Sequence, residues 1–224
     1  MKKTYTINKF DNHLIIEDNG NTCLIDTGSP FSIFDGISLD FCGRQFPKGL
    51  SMCSANAVSN LLGMHVDALV GNDILKHFNV VIDYAEGTIS FSDESLNLSS
   101  AIELPFDMSF GVPKVNMTLQ GEERRFFLDT GAKISYVSSQ MTQGLESVET
   151  ASDFYMGFGN FDTPIYNMEA SVAGQSFNVR VGNLPPMLEG TLIGLSGTAG
   201  VIGYDFFNRF KVQLDYANHM LHLA

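Results

Sequence analysis

Asp26 and Asp129 are the residues of this chain best placed to do chemistry together, because each ends the same phrase. Leu24-Ile25-Asp26-Thr27-Gly28-Ser29 recurs as Phe127-Leu128-Asp129-Thr130-Gly131-Ala132. A single Asp-Thr-Gly is ordinary turn chemistry, since Asp before Gly is common in turns. Two copies with the same apolar lead-in deliver an acid from the end of a buried strand twice. Two carboxylates brought to one point cannot both ionise cheaply, so they share a proton and titrate as a unit. Such a pair offers an ionised and a protonated acid side by side at one pH.

The elements that must position the two acids are repeated as well. Leu69-Val70-Gly71-Asn72-Asp73-Ile74-Leu75-Lys76-His77-Phe78 matches Val201-Ile202-Gly203-Tyr204-Asp205-Phe206-Phe207-Asn208-Arg209-Phe210. Both read as two apolar residues, Gly, any residue, Asp, two apolar, two polar, Phe. Each continues into a similar hairpin, Val80-Val81-Ile82-Asp83-Tyr84 with Thr88-Ile89-Ser90-Phe91, and Val212-Gln213-Leu214-Asp215-Tyr216 with Met220-Leu221-His222-Leu223. Four matched stations in one order indicate an internal duplication. The polar stretch 92–100 divides the units, giving an N-terminal lobe over 1–98 and a C-terminal lobe over 99–224.

These residues resemble the aspartic peptidases. Asp-Thr-Gly followed later by apolar-apolar-Gly is that family's pairing of catalytic loop and ψ-shaped loop, and the short lobes are similar to the retropepsin-like branch, here as a fused single chain. The resemblance implies an all-β, two-lobed retropepsin/pepsin-like acid protease fold with pseudo-twofold symmetry. It implies an aspartic-type endopeptidase, a hydrolase whose Asp26 and Asp129 activate a shared water. It implies Thr27 and Thr130 cross-linking the two loops through hydroxyl-to-backbone hydrogen bonds, and a peptide or unfolded protein held in β conformation as substrate. No metal and no organic cofactor is implied. The alternative function is a catalytically silent peptide-binding or regulatory protein that keeps the fold.

Gly28 and Gly131 permit a tight turn with close backbone approach. The fourth position differs: Ser29 has a hydroxyl and Ala132 has none. A hydroxyl donated to the outer oxygen of Asp26 would favour its ionised form, which leads us to expect Asp26 as the more readily ionised partner and Asp129 as the more readily protonated one. The units also differ in length. Gly71 lies 45 residues after Asp26 and Gly203 lies 74 after Asp129, a surplus of 29 in the second unit. In the family this interval holds the flap, a hairpin closing over substrate. Tyr155, Met156, Gly157, Phe158 and Gly159 form the candidate flap tip. The corresponding first-unit region, 41–59, reads as a loop or a shortened flap.

Runs rich in Val, Ile, Phe and Thr between Gly, Asn and Asp predict strands. They fall at 13–17, 22–26, 68–70, 80–83 and 88–91, then at 114–119, 124–129, 177–181, 200–202, 211–215 and 219–223. Gln120-Gly121 predicts a hairpin turn. Asp73 and Asp205 are expected to cap short helices, and Asp83 and Asp215 to serve hairpin turns.

Composition sets the remaining bounds. With 224 residues and 44% hydrophobic residues the chain can bury a substantial core. A net charge of −12 argues against nucleic acid, which requires a basic stripe. No apolar run approaches a membrane span, and the basic start Met1-Lys2-Lys3 lacks an apolar signal core. The three cysteines, Cys23, Cys42 and Cys53, fit a reducing compartment better than a disulfide framework. These features favour a cytoplasmic protein, and the internal duplication, which supplies both halves in one chain, favours a monomer. His219 and His222 fall on opposite faces of a predicted strand, an arrangement unsuited to a metal, and there is no nucleophile elbow or phosphate loop.

Overall fold

The computed structural model describes residues 1–49, 53–94, 96, 98 and 102–224. The fold is all-β. The strands begin with β1 (Lys2–Thr6), β2 (Asn8–Phe10), β3 (His13–Asp18) and β4 (Asn21–Ile25). Next come β5 (Ile33–Phe34), β6 (Ser38–Phe41), β7 (Arg44–Pro47), β8 (Ala68–Val70), β9 (Asn79–Asp83) and β10 (Thr88–Ser92). The later strands open with β11 (Ile102–Pro105), β12 (Asp107–Ser109), β13 (Val112–Leu119), β14 (Glu122–Leu128) and β15 (Ser135–Val137). They continue with β16 (Glu149–Tyr155), β17 (Gly159–Val172), β18 (Gln175–Asn183), β19 (Gly200–Ile202), β20 (Val212–Asp215) and β21 (Met220–Leu223). Helices are few: α1 (Ala55–Leu62), α2 (Asn72–Leu75), α3 (Pro186–Leu188) and α4 (Tyr204–Arg209), with a π-helical turn over Glu189–Gly194.

Two of the sheets carry the Asp-Thr-Gly phrases, and they share a strand plan. One is ordered β2-β3-β4-β8-β5, and the other begins β12-β13-β14-β19-β15 before extending through β18, β17 and β16. In each, the strand leading to the acid lies parallel to the short strand before the later glycine, with Ile25 opposite Val70 and Leu128 opposite Ile202. That short strand is flanked on its other side by an antiparallel partner.

Burial on both faces explains why the strands before the acids read as continuous apolar runs rather than as an alternation. Cys23 and Ile25 point into the large central core, whereas Leu24 between them joins a smaller cluster with Ile15, Ile33, Val58 and Leu69. Phe126 and Leu128 likewise enter the central core, and Phe127 enters a second small cluster with Val112, Ile134 and Val201. Side chains alternate across a strand, so each acid is anchored by apolar packing above and below.

A third, six-stranded sheet is ordered β1-β10-β9-β20-β21-β11 and joins strands from both ends of the chain. Its middle pairing is antiparallel, with Ile82 opposite Val212, Val81 opposite Gln213 and Val80 opposite Leu214. Val81 and Gln213 are 132 positions apart, the same offset that superposes Asp83-Tyr84 on Asp215-Tyr216. The pairing is therefore symmetric about the Val81–Gln213 pair. The junction expected at 98/99 adjoins residues 99–101, which lie outside the described residues.

Several local expectations hold. The strand runs form strands, and Gln120 and Gly121 both take positive φ, as a two-residue β13–β14 hairpin requires. Asp83 and Asp215 each accept a backbone N–H three residues on, from Glu86 and Asn218 at 3.0 Å. Three expectations differ. Asp73 and Asp205 are not N-caps: they lie in the first turns of α2 and α4 behind Gly71 and Gly203. Their carboxylates instead hold neighbouring chain, Asp73 accepting from Ser32 N and Oγ, and Asp205 from Arg180 N. The region 41–59 is not a flap either. The β6–β7 hairpin buries Leu39, Phe41, Cys42 and Phe46 in the central core. Helix α1 is then capped by Ser54, whose hydroxyl accepts from Ala57 N, and ended by Gly63 with φ 78°; residues 50–52 lie outside the described residues.

Candidate active site

The two Asp-Thr-Gly loops meet, and the threonines lock them together. Thr27 N donates to Thr130 Oγ1 at 3.0 Å, and Thr130 N donates to Thr27 Oγ1 at 3.0 Å. Each hydroxyl then donates onward across the junction, Thr27 Oγ1 to Leu128 O at 2.9 Å and Thr130 Oγ1 to Ile25 O at 2.7 Å. Both threonines are buried, so these four bonds satisfy groups that have no access to water.

Asp26 and Asp129 sit between the locked loops, enclosed by protein yet each keeping some exposure. Each takes a hydrogen bond from the glycine of its own loop, Gly28 N to Asp26 Oδ1 at 2.9 Å and Gly131 N to Asp129 Oδ1 at 2.7 Å. Each glycine also lies against the opposite acid. A Cβ on Gly28 would stand 2.1 Å from Cγ of Asp129, and one on Gly131 would stand 2.6 Å from Cγ of Asp26. The absence of a side chain is what lets the carboxyl groups approach within hydrogen-bonding reach of each other.

The later glycines close the loops from behind. A Cβ on Gly71 would lie 2.8 Å from Ser29 O, and one on Gly203 would lie 2.3 Å from Ala132 O. Asp26 N donates to Val70 O and Asp129 N to Ile202 O, both at 3.0 Å. Gly71 N donates to Ser32 Oγ and Gly203 N to Ser135 Oγ. The spacing of the repeated stations is thus a set of matched backbone contacts. Asn72, which the sequence did not single out, adds one on the first side only. Its Nδ2 donates to Thr27 O at 2.6 Å while its Oδ1 accepts from Tyr216 OH at 2.7 Å.

The electrostatics favour one shared proton. Burial, then the charge of Asp129 and a hydrogen bond with it, push Asp26 well above the usual carboxylate range. Burial pushes Asp129 up as well, opposed by its hydrogen bond with Asp26, the Gly131 N–H and the charge of His13. The expected asymmetry through Ser29 is not present. Its hydroxyl donates to Phe31 O at 2.7 Å, satisfying a local carbonyl rather than the carboxylate. Ala132 offers no hydroxyl, so neither fourth residue distinguishes the acids by its side chain.

The hairpin formed by β16 and β17 turns at Tyr155, Met156, Gly157, Phe158 and Gly159, with Phe158 N donating to Tyr155 O and both glycines at positive φ. Phe154 and Met156 pack on the small cluster of Ile15, Leu24, Val58 and Leu62, so the hairpin reaches from the eight-stranded sheet to the five-stranded one. Burial raises the Tyr155 hydroxyl above its ordinary value, and the charges of Asp129 and Asp26 raise it further. Behind the tip, Asp153 accepts from Tyr136 OH and from Phe154 N. His13, buried at 2% exposure, stacks on Phe154 with ring centroids 5.8 Å apart. His13, Asp153 and Tyr136 carry no sequence spacing that would have marked them.

Among the described residues no group of three or more His, Cys, Asp or Glu side chains is arranged to hold a metal ion. No helix among them is long and apolar enough to cross a membrane. His219 stacks on Phe106 and His222 pairs with Glu103.

The sequence matches no protein-family profile and no curated protein. Among solved structures, the chain is similar to a retropepsin-like aspartic protease from Rickettsia conorii, with 17% identity over 55% of this chain and 88% of that one and a TM-score of 0.39.

Proposed function

We propose that this protein is an aspartic endopeptidase, in which Asp26 and Asp129 activate one water molecule against a peptide carbonyl. The observation that carries the reading is the meeting of the two largely enclosed acids, locked by the reciprocal Thr27–Thr130 hydrogen bonds and given room by Gly28 and Gly131. Burial raises both acids and the charge of Asp129 raises Asp26 further, so the pair holds a single proton over a range of pH. The ionised acid takes a proton from water as the oxygen attacks, and the protonated acid donates to the developing oxyanion. Proton return to the amide nitrogen then releases the amine. This chemistry needs no metal or organic cofactor.

The shared strand plan, the matched backbone contacts and the symmetric β9–β20 pairing support two duplicated lobes, 1–98 and 99–224, related by a pseudo-twofold axis in a retropepsin/pepsin-like fold. Both acids come from one chain, so a monomer suffices. The substrate is an extended peptide lying between the acids and the β16–β17 hairpin, which acts as the flap. Phe154 and Met156 of the hairpin rest on the apolar cluster of the five-stranded sheet, so the hairpin lifts to admit substrate and closes over it.

The test is incubation with a denatured protein mixture from about pH 3 to 7. Cleavage that is blocked by a statine-type inhibitor and abolished in Asp26→Asn and Asp129→Asn is the expected result. Inhibitor binding without cleavage would instead assign the chain as a peptide-binding protein that keeps the fold.

A further inference from the structure

The turns that reach the two Asp-Thr-Gly loops differ in one buried residue. His13 follows the two-residue turn Asp11-Asn12 and pairs with Phe10, the last residue of β2. Val112 follows the two-residue turn Phe110-Gly111 and pairs with Ser109, the last residue of β12. All four turn residues have positive φ, so the two hairpins are built alike. Each turn touches the opposite Asp-Thr-Gly loop: Asp11 pairs with Lys133 at 2.6 Å, and Gly111 lies against Pro30. A titratable ring therefore occupies one side of the site, and a valine occupies the equivalent place on the other.

The surroundings of this ring connect the acids to the hairpin. Its Nδ1 lies 3.1 Å from Phe10 O, which fixes the ring plane. One face is covered by Phe154 of β16, nearly parallel at 19°. Three charged groups lead the influences on it: Asp11 on its own turn, Lys133 on the second Asp-Thr-Gly loop and Asp153 on β16; its own charge in turn lowers Asp129. Burial disfavours the imidazolium, Asp153 and Asp11 favour it, and Lys133 opposes it. Asp26 has no comparable neighbour among the leading influences on its carboxyl.

We propose that His13 is a positioning residue of the site, a platform that holds the β16–β17 hairpin closed through Phe154 and whose protonation is linked to the ionisation of Asp129. In acid the imidazolium favours the charge on Asp129 and leaves the shared proton on Asp26. The linkage is reciprocal, so the ionised Asp129 favours the imidazolium by the same amount. The stack supplies the mechanical half of the role, since Phe154 rests on the ring only while the hairpin is down.

The kinetic half of this inference rests on the peptidase reading, so the deciding measurement is one that needs no turnover. The protein has five histidines, and the His13 signal is assigned in side-chain NMR by its loss in His13→Phe. Its titration midpoint is then read in the wild type, in Asp129→Asn and in Asp26→Asn. The expected result is a fall of the midpoint in Asp129→Asn and a smaller fall in Asp26→Asn. An unchanged midpoint in Asp129→Asn overturns the linkage, whether or not any peptide is cleaved.

Kinetics then separate platform from charge. His13→Phe keeps the stack, so KM stays near that of the wild type while the acid limb of kcat/KM moves to higher pH. His13→Gln loses the stack and raises KM by roughly three- to tenfold. Equal KM values in the two variants overturn the platform. Absence of cleavage in the wild type, with the midpoint shift intact, would refute the peptidase reading and leave the coupling established.

Discussion

Alanine at position 28 would place a methyl carbon 2.1 Å from Cγ of Asp129, where non-bonded carbons need about 3.5–4.0 Å. Loop or carboxyl must give way by roughly 1.5 Å. The loop is held by Thr27, by Asn72 and by Gly71 packed behind it, so the carboxyl is the part that moves. It then loses the Gly131 N–H bond and its register with Asp26. A displacement near 1 Å at reacting groups costs on the order of 100-fold, so kcat/KM on a fluorogenic peptide should fall at least that far in Gly28→Ala. Overpacking should also cost about 1–3 kcal/mol of stability in thermal or urea unfolding. Gly131→Ala, with its methyl at 2.6 Å from Cγ of Asp26, should be damaged less. Gly190→Ala is the control, since nothing lies within 4 Å of its Cβ position. A Gly28→Ala variant within about threefold of the wild type would refute the idea that the glycine makes room for the pair.

Thr27→Val conserves shape but strands Thr130 N and Leu128 O in a buried junction; urea unfolding should show a loss of about 2 kcal/mol or more, with Thr130→Val similar and the double variant less than additive. Ser29→Ala should leave the acid limb of the pH–rate profile unmoved, because the hydroxyl serves Phe31 O; a displaced limb would restore a role for it at Asp26. Asp26 is held well above its ordinary range by burial and by Asp129, so the folded state binds its proton more tightly than the unfolded one. That stabilisation is complete below the unfolded value of about 3.9 and is lost as pH rises through the folded value. Asp26→Asn should therefore melt higher than the wild type near neutral pH and lose that advantage in strong acid. Deleting 155–161 should raise KM sharply while the melting transition survives, and unchanged kinetics would remove the hairpin from the substrate site.

The parts legible in the sequence are those fixed by local chemistry. Apolar runs became strands because both faces of β4 and β14 are buried. The later glycines were visible because no other residue fits against Ser29 O and Ala132 O. Side-chain direction was less accessible. The Ser29 hydroxyl had two acceptors in prospect, and the nearer carbonyl of Phe31 took it. Helix α1 carried its signals in Ser54 and Gly63, but eight residues with no acid in the first turn gave little periodicity to read. The six-stranded sheet joins residue 2 to residue 92 and residue 82 to residue 212, and such distant pairings leave no trace in local pattern. His13 was invisible for the same reason, since its partners Phe154, Asp153 and Lys133 all come from the other half of the chain.

The central claim is that two acids from two repeated loops act as one catalytic unit. Its most direct test is kcat/KM for a defined peptide, measured from about pH 3 to 8 in the wild type, Asp26→Asn, Asp129→Asn and the double variant. A bell-shaped profile is expected for the wild type, with a loss of at least about 1,000-fold in each single variant and a double variant no worse than either. Activity within about tenfold of the wild type in either single variant would contradict that claim.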